Sequence, residues 1–219
     1  MREDQIVLLV VAIAFLVVVV VLVAVSRRTG AIGQMLRDLA TSAGWSNLQK
    51  LFMSSAGVKG TWRSFPVELS YHLRQKGVPQ RLILKVRARN DSRLIVKRRF
   101  TGFFSNRPLT WFGPPLIEVR QPSAAEFWVR GDEPALAERL FGDAALASEI
   151  YTNLVARFDE VRLDRRGLRI TRALDDHLVT AKYAMPKFEM RFDIRKFEPI
   201  AREELTLAET LVSKLSMLS

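Results

Sequence analysis

One stretch of the chain, residues 6–25, consists of twenty consecutive apolar side chains. A helix of that length rises about 30 Å, which is close to the thickness of a bilayer's hydrocarbon core. A secretory signal peptide is the main alternative. It fits poorly, because the run is long, the four residues before it carry no positive excess, and no small-x-small cleavage site follows. The sequence therefore predicts a retained transmembrane helix within an N-terminal anchor over residues 1–26.

Basic residues flank this run unequally. Arg27 and Arg28 follow it directly, with Arg37 a little later, whereas the other end has only Arg2 beside two acidic residues. Because positive residues near a membrane span stay on the cytoplasmic side, we predict a bacterial-type inner membrane protein with its N-terminus outside and its C-terminal domain in the cytoplasm. The chain has no cysteine, which suits a reducing compartment.

The part of the chain after the apolar run is strongly basic. Residues 27–219 hold 33 of the 34 Lys and Arg (all but Arg2) and 21 of the 23 Asp and Glu (all but Glu3 and Asp4), a net charge of +12. Such a domain beside a membrane has two expected partners, anionic lipid head groups and other integral membrane subunits, with nucleic acid less favoured. The plain alternative is that the arginines serve membrane topology alone.

The remaining pattern predicts an α+β fold of antiparallel strands with two or three packed helices and a C-terminal helix. We assign residues 27–44 to a juxtamembrane amphipathic helix, 45–195 to the α+β domain and 196–219 to the C-terminal helix, which begins near Pro199. That helix either docks on its own domain, which we favour, or pairs with another subunit. Alternation of apolar and polar residues predicts strands over 58–63, 66–73, 81–89, 93–100, 116–120, 126–130, 161–164 and 168–172.

Two of these strands, 81–89 and 93–99, are predicted to pair as a β-hairpin around a three-residue loop. That register places apolar residues on one face and basic residues on the other. Since like charges opposite each other on a sheet are mildly destabilising, the basic face predicts an anionic partner or lipid head groups. The alternative is a solvated face that protects against aggregation. The basic residues concerned are Arg81, Lys85, Arg87, Arg89, Arg93, Lys97 and Arg99.

An aromatic segment follows directly, rich in glycine and proline. Its aromatic residues are Phe103, Phe104, Trp111 and Phe112. On an exposed loop they could contact the lipid interface or a partner subunit. The interpretation we favour slightly is that they fold back and close the core.

The sequence predicts neither catalysis nor a metal or cofactor. It has two histidines: His72 falls in a strand, and His177 in a polar turn beside Asp175 and Asp176. Neither has a metal-ligand partner at a useful spacing. The chain also contains no P-loop, dinucleotide-binding or nucleophile-elbow motif.

Three segments carry a resemblance: Gly60-Thr61-Trp62-Arg63, then Phe65-Pro66-Val67, and later residues 127–134 with the sequence FWVRGDEP. Together they resemble a layout found in uncharacterised bacterial single-pass, membrane-anchored proteins with a cytoplasmic α+β domain. The resemblance covers residues 44–172. It implies a fold type, and since such proteins have no settled activity it implies no functional residues.

The sequence as a whole favours a non-catalytic, single-pass accessory or scaffolding subunit that caps a larger integral membrane complex on the cytoplasmic side. The alternative is a membrane-surface module that binds anionic lipid, or nucleic acid, through the basic hairpin face. An enzyme is the third choice.

Overall fold

The computed structural model of the protein describes residues 15, 30, 32–51, 55–72, 79–89, 91–99, 114–121, 124–154, 159–174, 179–184 and 187–216. Within them the chain is an α+β protein with an eight-stranded antiparallel sheet, a separate two-stranded ribbon and four helices. The α+β class and the antiparallel strands agree with the sequence prediction.

The helices are α1 over residues 32–42, α2 (Pro134–Gly142), α3 (Ala144–Asn153) and α4 (Ile194–Ser216). The strands are β1 (Ser46–Lys50), β2 (Ser55–Trp62), β3 (Phe65–His72), β4 (Gln80–Val86), β5 (Leu94–Arg98), β6 (Phe127–Gly131), β7 (Glu160–Asp164), β8 (Gly167–Leu174), β9 (Val179–Ala184) and β10 (Lys187–Phe192).

The predicted transmembrane helix is not supported by the structure. No helix in the described part of the chain is both long and apolar enough to cross a membrane. The longest described helix, α4, has 23 residues, but charged side chains are spread along its length. Of the predicted span over residues 6–25, only residue 15 is among those described. The predicted fold class is therefore corrected to an α+β fold without a membrane-spanning helix among the described residues.

The sheet has the strand order β1-β2-β3-β4-β8-β7-β5-β6, and all its neighbours are antiparallel. Strands β2 and β3 are joined by a two-residue turn in which Arg63 and Ser64 both have positive φ, at 47° and 71°. This is the conformation that a tight hairpin with right-handed strand twist requires.

The predicted hairpin between β4 and β5 does not form. Strands β8 and β7 lie between them, and β4 pairs with β8 while β5 pairs with β7. The register explains the preference, since Leu84 lies opposite Ile170 and Val96 lies opposite Val161. The β7–β8 hairpin, which lies between β4 and β5, thus connects the apolar rows of these two strands within one wider sheet.

All four helices pack against one face of the sheet. The ring of Phe197 on α4 lies 5.7 Å from that of Tyr71 on β3, and the ring of Phe141 on α2 lies 5.6 Å from that of Phe127 on β6. Helix α1 buries its Leu36 in the same hydrophobic core. The fold therefore has two layers, with helices on one side of the sheet.

Helix α4 docks on its own domain, as we favoured from the sequence. It contacts α3, β4 and β8, and buries Ala208 and Leu211 in the core. The predicted start at Pro199 was wrong. The helix begins at Ile194, where the Asp193 carboxylate accepts a hydrogen bond from the Lys196 backbone N–H.

Three strands were missed by the prediction, and one predicted strand is largely absent from the described residues. The sequence analysis missed β1 and the ribbon β9–β10, whose strands pair antiparallel along their length. The predicted strand over 116–120 is reduced to an isolated bridge between Leu116 and Arg130.

A candidate anion-binding face on the open side of the sheet

The sheet face opposite the helices carries a row of charged side chains. Cross-strand partners place Lys59, Glu68, Lys85, Arg169, Arg162, Ile95 and Arg130 side by side on seven strands, from β2 to β6. Strands lie about 4.8 Å apart, so this row extends for about 30 Å. Because paired residues share a face, all seven side chains project away from the helix layer.

Neighbouring rows add more basic residues to the same face. Arg81 lies opposite His72 and Lys97 lies opposite Trp128. The guanidinium of Arg99 stacks on the Trp128 ring at 4.5 Å. We call this surface the basic sheet face; its acidic residues are Glu68, Glu160 and Asp164, and its basic residues are Lys59, Arg81, Lys85, Lys97, Arg99, Arg130, Arg162 and Arg169.

Two of the three acidic residues of the basic sheet face form ion pairs with its basic residues, and the third, Asp164, accepts a hydrogen bond from the Arg166 backbone N–H at 2.8 Å. Glu68 accepts a hydrogen bond from Lys85 at 2.7 Å. Glu160 lies 2.7 Å from both Lys97 and Arg162. No described carboxylate lies within ion-pair distance of Arg81 or Arg169, so the face keeps an excess of positive charge.

The long basic side chains shield the row of small and apolar residues between them. Ile83, which lies opposite Thr171 and Ser70, is only 3 % exposed although no helix packs on this side of the sheet in the part of the chain that the structure describes. The Nε atoms of Arg81 and Arg169 are buried and have no hydrogen-bond acceptor. We infer that the aliphatic stems of these arginines lie along the sheet and leave the ends of their guanidinium groups at the surface.

His72 lies close to this positive charge. Its pKa is lowered from the usual value, first by burial and then by the nearby Arg81 and Lys85. Its Nε2 lies 3.1 Å from the Ser70 hydroxyl. The imidazole is therefore neutral at neutral pH and adds no further positive charge.

The structure brings together four of the seven basic residues predicted from the sequence. Arg81, Lys85, Lys97 and Arg99 lie on the basic sheet face. The other three are exposed at strand ends: Arg87 and Arg89 follow β4, and Arg93 precedes β5, with its Nε 3.7 Å from Asp132. Arg99 also follows the last residue of its strand, β5, but its side chain stacks on Trp128 of the face.

Sequence reasoning missed the basic residues that other strands contribute. Arg162 and Arg169 belong to the β7–β8 hairpin, where basic and apolar residues alternate. That alternation was the available signal. It could not show that this hairpin lies between β4 and β5. The sequence therefore did not predict that Arg162 and Arg169 share a face with Lys85 and Lys97.

Several predicted features lie outside the described residues: the aromatic loop with Phe103, Phe104, Trp111 and Phe112, and the turn with Asp175, Asp176 and His177. Among the residues that are described, no group of His, Asp and Glu side chains is arranged to hold a metal ion.

A cavity of about 160 Å³ lies on the other side of the sheet, between α1, β2 to β4 and α4. Its apolar wall includes Trp45 and Trp62, while Arg202 and Glu209 line its polar part. The Glu209 carboxylate forms an ion pair with the Arg63 guanidinium at 2.8 Å. The basic residue of the cavity, Arg202, is likewise paired with Glu198 at 3.0 Å, so the cavity offers less attraction for an anion than the basic sheet face.

A buried carboxyl group, Glu204 of α4, also lies in the helix layer. It is 1 % exposed, and burial raises its pKa to about 8. Arg172 opposes this shift, while Asp159 adds to it. Glu204 is therefore protonated at neutral pH and contributes no charge to the basic sheet face on the opposite side.

In the part of the chain that the structure describes, the antiparallel sheet thus has helices on one face and predominantly basic side chains on the other. No protein-family model matches the sequence, and no curated protein matches it. The chain is similar to one solved structure, described as the crystal structure of the mycobacterial trehalose monomycolate transport factor A, TtfA. The identity is 10 %, the TM-score is 0.42, and the match covers 80 % of this chain and 93 % of that chain. A likeness at this level does not define a shared fold and assigns no function.

Proposed function

We propose that this protein is a non-catalytic, membrane-associated accessory protein that binds anionic lipid head groups through its basic sheet face. The observation that carries the proposal is the asymmetry of the sheet. One face is covered by helices, and the other gathers eight basic residues around three acidic ones.

The strength of the attraction follows from the net charge. Eight basic residues less three acidic ones leave five positive charges. At about 1 kcal/mol for each charge near an anionic leaflet, the face contributes at most about 5 kcal/mol. This corresponds to a dissociation constant of roughly a few hundred micromolar. Such binding is weak and salt-dependent, because a charge acts only within a Debye length of the surface.

An attraction of this size suits orientation better than recruitment. It holds the sheet against the anionic cytoplasmic leaflet and leaves the helix layer turned away from the lipid. We propose that in this orientation the protein serves as an accessory or scaffolding subunit of a larger integral membrane complex, which it caps on the cytoplasmic side. The integral membrane subunits are then its protein partners.

A single label can test which face meets the lipid, because the chain has no native cysteine. Ile95→Cys places a fluorophore in the middle of the charged row, between Arg162 and Arg130. Thr206→Cys is the matched control, since it is exposed on α4 in the helix layer. The full chain is reconstituted in nanodiscs of phosphatidylcholine, with or without phosphatidylglycerol, and quenching by a head-group-labelled lipid is measured.

We expect phosphatidylglycerol to increase the quenching at position 95 and salt to reverse that increase, with little change at position 206. Equal quenching at the two positions, or no dependence on the anionic lipid, would contradict the proposed function. Co-purification of integral membrane subunits with the full chain from its native membrane tests the accessory role separately.

A further inference from the structure

The middle of the basic sheet face holds three basic residues side by side. Arg169 on β8 lies directly opposite Lys85 on β4 and directly opposite Arg162 on β7. Residues opposite each other in an antiparallel sheet have Cβ atoms only about 4.5–5.5 Å apart. Three cationic side chains are thus held within reach of one small ligand.

Arg169 differs from its two neighbours in having no partner of opposite charge among the described residues. Lys85 is bound to Glu68, and Arg162 to Glu160. The Arg169 Nε is buried without a hydrogen-bond acceptor, as are those of Arg81 and Arg162 on the same face. A buried donor without an acceptor is uncommon in folded proteins, and an ion or ligand that is absent from the structure is one physical explanation for it.

We propose that Lys85, Arg169 and Arg162 form a discrete subsite for the phosphate group of a lipid head group, with Arg169 at its centre. The inference rests on the proposed function and makes it more specific. General attraction requires only positive charge near the surface. A subsite requires the planar, forked guanidinium of arginine, which donates two parallel hydrogen bonds to phosphate oxygens. The ammonium group of lysine is a point charge and cannot make this paired contact.

A residue outside the three provides an independent readout. His72 lies near enough to Arg81, Lys85 and Arg169 for their charges to lower its pKa. A bound phosphate adds negative charge to this cluster, so it must shift the His72 pKa upward. The chain has only two histidines, so NMR of the imidazole signals can follow this shift directly.

The decisive comparison is between Arg169→Lys and wild type. This variant keeps the charge and loses the fork. Lys59→Gln is the control, because it removes a charge from the same face at a position outside the subsite. The probes are inorganic phosphate, with chloride at the same ionic strength as the blank, and nanodiscs containing phosphatidylglycerol.

Phosphate is expected to raise the His72 pKa in wild type and in Lys59→Gln, with about tenfold weaker phosphate binding in Arg169→Lys. The anionic nanodiscs are expected to raise the His72 pKa in wild type and in Lys59→Gln, and to bind Arg169→Lys more weakly than either. If inorganic phosphate raises the His72 pKa but the anionic nanodiscs do not, the ligand is free phosphate and not a lipid head group. The inference then names the wrong source of the phosphate group.

The inference also fails if Arg169→Lys binds like wild type while Lys59→Gln binds more weakly. Charge alone then governs binding, and the proposed function stands without a subsite. If wild type does not respond to the anionic nanodiscs, the proposed function itself fails. Arg162→Lys, which makes the same exchange on β7, repeats the test with a second variant should Arg169→Lys not fold.

Discussion

Replacing the buried Glu204 by glutamine should change how the stability of the protein depends on pH. The Glu204 side chain lies between α4 and the sheet, and both of its carboxyl oxygens are buried. Burial raises the pKa of this carboxyl from 4.5 to about 8, with Arg172 acting against the shift and Asp159 reinforcing it. The folded protein therefore keeps the proton over a pH range in which the unfolded chain loses it.

The sign of the effect follows from this difference in bound protons. Because the folded pKa is raised, the stability that Glu204 contributes is fully present below about pH 4.5 and is lost as the pH rises towards 8. The slope is roughly 1.4 kcal/mol per pH unit, which gives a loss on the order of 3 kcal/mol between pH 4.5 and neutral pH. Glutamine has nearly the same shape and does not titrate.

Urea unfolding of the full chain in mild detergent, followed by tryptophan fluorescence, measures the difference. Near pH 5 we expect Glu204→Gln and wild type to be within about 1 kcal/mol of each other. At neutral pH the variant should be more stable by roughly 3 kcal/mol. Glu203→Gln is the control, because Glu203 is exposed and paired with Arg172 at 2.8 Å. A difference between Glu204→Gln and wild type that does not change with pH would refute the reasoning.

Three further substitutions have defined outcomes in the same unfolding assay. Gly167→Ala should lose on the order of 1–3 kcal/mol, because Gly167 has φ of +116° and an added Cβ would collide with the Val86 carbonyl oxygen; a neutral result would mean that the β7–β8 turn relaxes freely. Phe127→Ala should lose about 3–5 kcal/mol, since the ring is buried against Phe141. A loss below about 1 kcal/mol would contradict this packing. Arg169→Gln should leave stability unchanged or raise it by up to about 1 kcal/mol, because it relieves repulsion from Arg162. A large loss would instead assign Arg169 a structural role.

The sequence predicted those elements whose signal is local. Strands β2 and β3 alternate apolar and polar residues on either side of a tight turn, and the strands predicted over 58–63 and 66–73 fall within them to within one residue. Strand β1 lacks such a signal: its side chains are mostly exposed, Asn47 has positive φ, and its pairing is irregular. The pattern is absent because β1 forms the edge of the sheet and contributes little to the core.

Strand order was not accessible from local pattern. The prediction joined β4 to β5 because they are neighbours in sequence and share a basic face. In the structure the β7–β8 hairpin lies between them, and Arg162 and Arg169 thereby join Lys85 and Lys97 on one surface. The sequence thus predicted a basic sheet surface. It did not predict how many strands contribute to that surface or which residues lie at its centre, because these depend on contacts between residues that are far apart in sequence.

The central claim is that the basic sheet face, rather than the overall positive charge, binds anionic lipid. It is tested most directly by removing three charges from that face with Lys59→Gln, Arg99→Gln and Arg169→Gln in one variant. The full chain is bound to phosphatidylglycerol vesicles and to phosphatidylcholine vesicles, and the ratio of the two affinities is measured at low salt.

The matched control removes three charges from exposed positions of α4 with Arg195→Gln, Lys196→Gln and Arg202→Gln. At about 1 kcal/mol per charge, the sheet-face variant should lose roughly a hundredfold in its preference for the anionic vesicles, and the α4 variant should lose little. Equal losses in the two variants, or no loss in the sheet-face variant, would contradict the claim.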